Sequence, residues 1–173
     1  LQFEVPLPLV MVAAKAVKAQ GATVIVDPAP ARNDLPPEFF RTVDILTPNQ
    51  VEASQLTGLA VTDVATATEA AQRLVQRGVA IAIVKLGDQG AVVAENQRTF
   101  HQPALPVQVV DTVAAGDAFN GGLAVALAEG MDLAAAVEFA SAVAAAAVMV
   151  AGAQSSMPER SRVAALRIGL QHL

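Results

Sequence analysis

The sequence predicts an α/β fold, a three-layer αβα sandwich around a mostly parallel sheet, and three observations carry that expectation. Short β-branched apolar segments alternate with stretches of helical apolar spacing. Strand candidates such as ATVIV (22–26) and Val107 to Val110 are almost wholly apolar, as strands covered by helices on both faces must be. Of the 173 residues, 54% are hydrophobic and only 16% charged, enough for one sizeable core in a single domain spanning 1–173. Alternating βα units are joined by right-handed crossovers, which keeps their strands parallel.

LQFEV (1–5) is a short apolar segment ended by Pro6 and is expected to be the first strand. Leu9 to Gln20 has helical spacing and stops at Gly21. ATVIV (22–26) reads as a strand buried on both faces, followed by the turn Asp27-Pro28-Ala29-Pro30. DILT (44–47) repeats the strand in miniature, and Pro48-Asn49 opens a short helix closed at Gly58. Thr66-Ala67-Thr68-Glu69 has the capping-box form and is expected to start a helix running to Gly78. The strand of that unit is 80–86. From Gly90 onward AVVAE, Asn96-Gln97 and RTFHQ predict a hairpin that interrupts the alternation, with His101 exposed on it. Val107 to Val110 is expected to be one more buried strand. After Gly116 the chain is helical, with breaks at Gly130-Met131 and between Gly152 and Pro158.

Composition excludes several classes. With no cysteine there is neither a disulfide scaffold nor a thiolate metal site. Eleven basic against 16 acidic residues give a net charge of −5 without any Lys/Arg cluster, which argues against nucleic acid as a partner. The longest apolar run, Phe139 to Ala151, falls short of the ~20 residues a bilayer requires and is expected to be a buried helix, so no membrane attachment is expected. No signal peptide is expected, since the chain does not open on a charged leader with a cleavage motif, and the cytoplasm is the default compartment. The chain opens without Met directly on a strand-like segment, so a fragment is expected.

The chemistry concentrates in Val110 to Gly122, where a strand is expected to end and a helix to begin, the place where open α/β sheets bind ligands. The small residues Ala114, Ala115 and Gly116 let backbone approach a ligand, and the amides of a first helical turn point outward at the positive end of the dipole. That is an anion cradle. A carboxylate within it, Asp117, repels a phosphate unless it serves as a base beside it; it is equally placed to cap the helix, and spacing leaves both roles open.

DTVAAGDAFNGGLAVAL (111–127) resembles the D-T-x-A/G-A-G-D-x-F-x-G-G/A signature of the PfkB carbohydrate kinases, most of all their ribokinase branch. Other segments resemble that family in order: LQFE (1–4) its LQLE strand, VIVDPAPA (24–31) its NPAPA turn, TPNQVEASQLTG (47–58) its TPNExEAxxLTG segment, VKLGDQGA (84–91) its T-L-G-x-x-G nucleotide loop and GAQSSMP (152–158) its closing GAQxSxP. The resemblance runs along the whole chain but covers only the C-terminal half of the family pattern. The N-x-D sugar segment, the glycine-rich sugar loop and the β-sheet lid have no counterpart.

The resemblance implies an ATP-dependent kinase moving the γ-phosphate to the primary hydroxyl of a sugar, with ribose favoured and fructose or another sugar as the alternative; a noncatalytic nucleotide-binding fragment is the competing reading. It implies Asp117 as catalytic base and the amides of Ala114, Ala115, Gly116 and Asp117 as the anion hole. Asn49 and Glu52, three residues apart at a helix start, would organise Mg²⁺ through waters; otherwise Glu52 is a solvated first-turn carboxylate. Lys85, Leu86, Gly87, Asp88, Gln89 and Gly90 match the nucleotide loop. Lys85 departs from the small hydroxyl residue usual there, so that it pairs with phosphate or merely snorkels. Ser141 matches an adenine-side polar residue, or bonds its own helix backbone. A K⁺ site is implied from Asp111, Val113, Ala147, Val150, Gly152 and Ser156, all through oxygen. Glu4 matches a sugar-binding glutamate. Lacking the sugar half, the chain is expected to self-associate, to bind Mg-ATP weakly and to phosphorylate ribose negligibly.

Overall fold

The computed structural model describes residues 1–170, which divide after Pro103 into two compact units. The first is built on a five-stranded sheet in sequence order, β1 (Ile25–Val26), β2 (Ile45–Leu46), β3 (Ile81–Lys85), β4 (Ala91–Glu95) and β5 (Arg98–Gln102). β1, β2 and β3 run parallel, whereas β3, β4 and β5 pair antiparallel, so the sheet is mixed. The helices of this unit are α1 (Leu7–Lys18), α2 (Pro37–Thr42), α3 (Gln50–Thr57) and α4 (Val64–Gln76).

Burial follows the two-faced pattern of the sequence. Val26, Leu46, Ala82, Val84, Val92 and Ala94 join one core with Val10 and Ala14 of α1, Phe39 and Phe40 of α2 and Leu74 of α4. The alternating residues Ile45, Ile83 and Val93 on the opposite face are buried as well. Phe40 is fully buried, edge-on to Phe39 at 5.3 Å and beneath the Arg77 guanidinium at 3.8 Å. The hairpin forms as expected, with Glu95 opposite Arg98 and Asn96 left-handed in the turn.

Three local expectations are corrected. LQFEV is no strand: Leu1 makes a strand's two bonds, its ammonium to the Ile25 carbonyl and its carbonyl from the Asp27 amide, but Phe3 then reaches Ala29 and the chain bends away. The capping box sits three residues early, because Asp63 is the N-cap of α4 and Thr66 its reciprocal partner; Glu69 instead pairs with Arg73 one turn on. Val107–Val110 is not a strand. Val109 and Val110 are exposed, and the Val110 and Asp111 amides both donate to the Val148 carbonyl rather than to a neighbouring strand.

The second unit contains α5 (Ala115–Ala128), α6 (Leu133–Val148) and α7 (Arg160–Leu170). Alanine dominates α5 and α6, and Gly122 lets them approach: a Cβ there would lie 2.9 Å from Val143 Cγ2 and 3.1 Å from the Ala140 Cα. Among the described residues no helix is long and apolar enough to cross a membrane.

Candidate active site

In the first unit the carboxyl ends of the three parallel strands carry a cluster of mutually bonded polar side chains. Asp27 follows β1, Asn49 lies just beyond β2 and Lys85 ends β3. The Lys85 amide donates to the Pro48 carbonyl at 2.8 Å, and its side-chain ammonium stands 2.8 Å from Asp27 Oδ2, with the two side chains only 14% and 15% exposed. Asn49 caps α3, its Oδ1 accepting from the Glu52 amide at 2.9 Å. Glu52 reciprocates: Oε2 accepts from the Asn49 amide at 2.7 Å and Oε1 from Asn49 Nδ2 at 2.9 Å. The capping box thus uses the pair of residues that the resemblance assigns to Mg²⁺.

Glu52 is buried, not a solvated first-turn carboxylate. Burial pushes its carboxyl above the usual range and the Asp27 charge pushes the same way, against the Asn49 donors and the Lys85 charge. With both oxygens held by Asn49, the pair suits a hydrated Mg²⁺ reached through waters; direct ligation requires opening the box.

Residues 85–90 form a self-closed loop. Gly87–Gln89 make one 3₁₀ turn, the Leu86 amide donates to the Gly90 carbonyl at 2.7 Å, and Gly90 has φ 88° and ψ −133°, a conformation open essentially to glycine alone. His101 Nε2 contacts the Gln89 carbonyl at 2.6 Å, and the Gln89 amide side chain donates to Thr62. The Lys85 head is engaged with Asp27. Asp27 is the residue that reading the sequence missed. Its signal was there: Asp27 stands where the resembling turn has Asn, Lys85 where the loop has a small hydroxyl, and the two departures meet.

In the second unit the decisive groups belong to the backbone. Ala114, the N-cap of α5, is left-handed at φ 60° and supplies no side-chain cap. The Ala115 amide donates to the Thr112 carbonyl at 3.2 Å, and the first turn of α5 presents the amides of Gly116 and Asp117, with Asp117 as its third residue, exposed. Asp117 is not the N-cap, so the plain capping role does not describe it.

Before this turn, Asp111 Oδ1 accepts from the Val113 amide at 3.0 Å and Oδ2 from the Gly152 amide at 2.9 Å, tying the turn to the segment after α6. These bonds, that of Gly152 first, hold the Asp111 carboxyl below the usual range. The Ala147 carbonyl accepts from the Val150 amide, and buried Ser156 donates to the Ala153 carbonyl. A carboxylate, helix-end carbonyls and a hydroxyl are oxygen donors of the kind a hard monovalent cation such as K⁺ takes.

Two residues stand outside these groups. Ser141 lies within α6 and spends its hydroxyl on the Val137 carbonyl at 2.8 Å. Glu4 is exposed and accepts from the Gln2 side-chain amide at 3.3 Å. Among the described residues no three His, Asp or Glu side chains converge on a metal position.

The pfkB family carbohydrate kinase pattern matches residues 1–160. The ribokinase of Haemophilus influenzae is 40% identical over 160 residues, 92% of this chain and 52% of that protein. Ribokinase from Thermotoga maritima superposes with a TM-score of 0.86 at 40% identity, over 96% of this chain and 55% of the other. Arabidopsis thaliana ribokinase, solved with ribose and ATP, gives a TM-score of 0.90 at 37% identity, over 95% and 54%. The chain spans about half the length of the relatives it matches. Its fold is the α/β sandwich of the ribokinases, and the chain belongs to the pfkB family of carbohydrate kinases.

Proposed function

We propose that this chain is the nucleotide-binding and catalytic part, one domain over 1–173, of an ATP-dependent kinase that transfers the γ-phosphate to the primary hydroxyl of ribose. The observation that supports it most is the left-handed Ala114 turn, which leaves the start of α5 without a side-chain cap and sets Asp117 in its first turn. Phosphoryl transfer asks little covalent work of a protein beyond positioning, charge stabilisation and a base. Asp117 takes the proton of the attacking hydroxyl, and the amides of residues 114–117 stabilise charge developing on the transferred group. Residues 85–90 pass close to the nucleotide through their backbone, with Ser141 on the adenine side. Asn49 and Glu52 hold waters around Mg²⁺, which supplies counter-charge to the triphosphate. Asp111, Val113, Ala147, Val150, Gly152 and Ser156 hold K⁺, and Glu4 contacts the sugar.

The test is calorimetric titration with Mg-ATP together with ADP release measured with and without ribose. The chain as given is expected to bind Mg-ATP weakly with negligible ribose-dependent release; joined to the sugar-binding half of a ribokinase it is expected to release ADP in a ribose-dependent way that Asp117→Asn lowers at least ~100-fold while affinity stays within a few-fold. In that joined protein, binding without any ribose dependence favours a noncatalytic nucleotide protein or a kinase for another sugar, which a panel of sugars separates. Absence of nucleotide binding contradicts every version of this reading.

A further inference from the structure

Lys85 closes β3 and opens the 85–90 loop, a place where a lysine can lend its charge to an anion lying over the loop. Here its ammonium is 2.8 Å from Asp27 Oδ2, and the pair is largely buried. At such burial, parting the two charges gives up their mutual attraction without full rehydration of either, so the pairing persists. The Lys85 amide is bonded to Pro48 between the two, so the pair braces the ends of β1 and β3 across β2. Counting buried Glu52 beside them, two negative groups and one positive give this cluster a charge of −1 when all three are ionised. A bare triphosphate finds no free cation in it.

We infer that Asp27 is a positioning residue that withholds the Lys85 charge from the nucleotide, so that affinity depends on the divalent cation arriving with ATP. The inference rests on the nucleotide-binding reading above. It places the control of metal dependence in a residue outside the nucleotide loop.

The experiment compares calorimetric titration with ATP in EDTA and with Mg-ATP for the wild-type chain, Asp27→Asn, and the double variant Asp27→Asn with Lys85→Met. Asp27→Asn is expected to raise affinity for metal-free ATP about tenfold by releasing one unit charge at ion-pair range, and to narrow the preference for Mg-ATP. The double variant loses that gain. Should Asp27→Asn not fold, Asp27→Ser gives the same reading. Denaturant unfolding of the two single variants and the double variant supplies a readout without nucleotide: Lys85→Met is destabilised, and adding Asp27→Asn restores most of the loss, because a neutral Asn needs no counter-charge. Unchanged or weaker metal-free binding in Asp27→Asn, a gain that survives in the double variant, or additive unfolding effects overturn the inference while leaving the nucleotide reading intact. Wild-type protein that binds neither form of ATP removes the nucleotide reading, and this inference with it.

Discussion

In the first unit the candidate groups are side chains that satisfy one another, Asp27 with Lys85 and Asn49 with Glu52, the first three at strand ends and Glu52 in the first turn of α3. In the second they are backbone amides and carbonyls set by one left-handed residue, with a single carboxylate, Asp111, tying the turn in place. The contrast teaches where each unit is sensitive. The first responds to changes of charge and hydrogen-bonding capacity, whereas the second responds to changes of backbone conformation and to the space between its helices.

The largest effect on stability is expected in the second unit from filling the gap between α5 and α6. Gly122→Val places a branched side chain where even a Cβ lies 2.9 Å from Val143. Overpacking of this kind costs ~3 kcal/mol. Denaturant unfolding checks it, and a cost below ~1 kcal/mol means that the helices separate easily and the contrast is weaker than drawn. Next comes the capping box of the first unit. Glu52→Ala removes both acceptors from Asn49 and is expected to cost ~1–2 kcal/mol, whereas Glu52→Gln keeps a side-chain acceptor and loses much less. Equal losses in the two variants show that charge, not the hydrogen bonds, holds α3.

Asp111 and Glu52 contribute to stability with opposite pH dependence, in metal-free buffer. The folded Asp111 carboxyl is lowered, so its contribution is present above the unfolded value of about 3.9 and fades as pH falls through the folded value. The folded Glu52 carboxyl is raised, so its contribution is present below the unfolded value of about 4.3 and is lost as pH rises through the folded one. Comparing unfolding curves across acidic pH, Asp111→Asn flattens the acid loss of stability and Glu52→Gln removes an opposing rise; a common direction for both variants contradicts the assignments. The smallest effect is Ala114→Gly, expected to stabilise by ~0.5–1 kcal/mol by relieving a left-handed alanine. A destabilised glycine variant means that the turn owes its shape to more than that residue's conformation.

The fold was legible where local pattern and tertiary setting agree. The apolar run 80–86, the Asn96-Gln97 turn and the Gly58 stop became β3, the hairpin and the end of α3. Valines at 107–110 have strand propensity, but a strand needs a neighbour, and their backbone bonds to a helix end instead. α2 escaped notice because six residues opened by Pro36-Pro37 show no helical period, and it is held by the burial of Phe39 and Phe40. The Asp117 turn was legible because small residues before an acid carry chemical meaning locally. The Asp27–Lys85 pair was not, since its members lie 58 residues apart and only the parallel pairing of β1, β2 and β3 brings them together.

The central claim is that both the side-chain cluster of the first unit and the backbone turn of the second serve one nucleotide-dependent reaction. Amide NMR of the chain titrated with Mg-ATP tests it most directly. The account predicts that resonances of residues 85–90 and of residues 114–117 shift together along one binding curve, with the middle of α1 unmoved as an internal reference. Shifts confined to one of the two sets, or none at saturating Mg-ATP, contradict it.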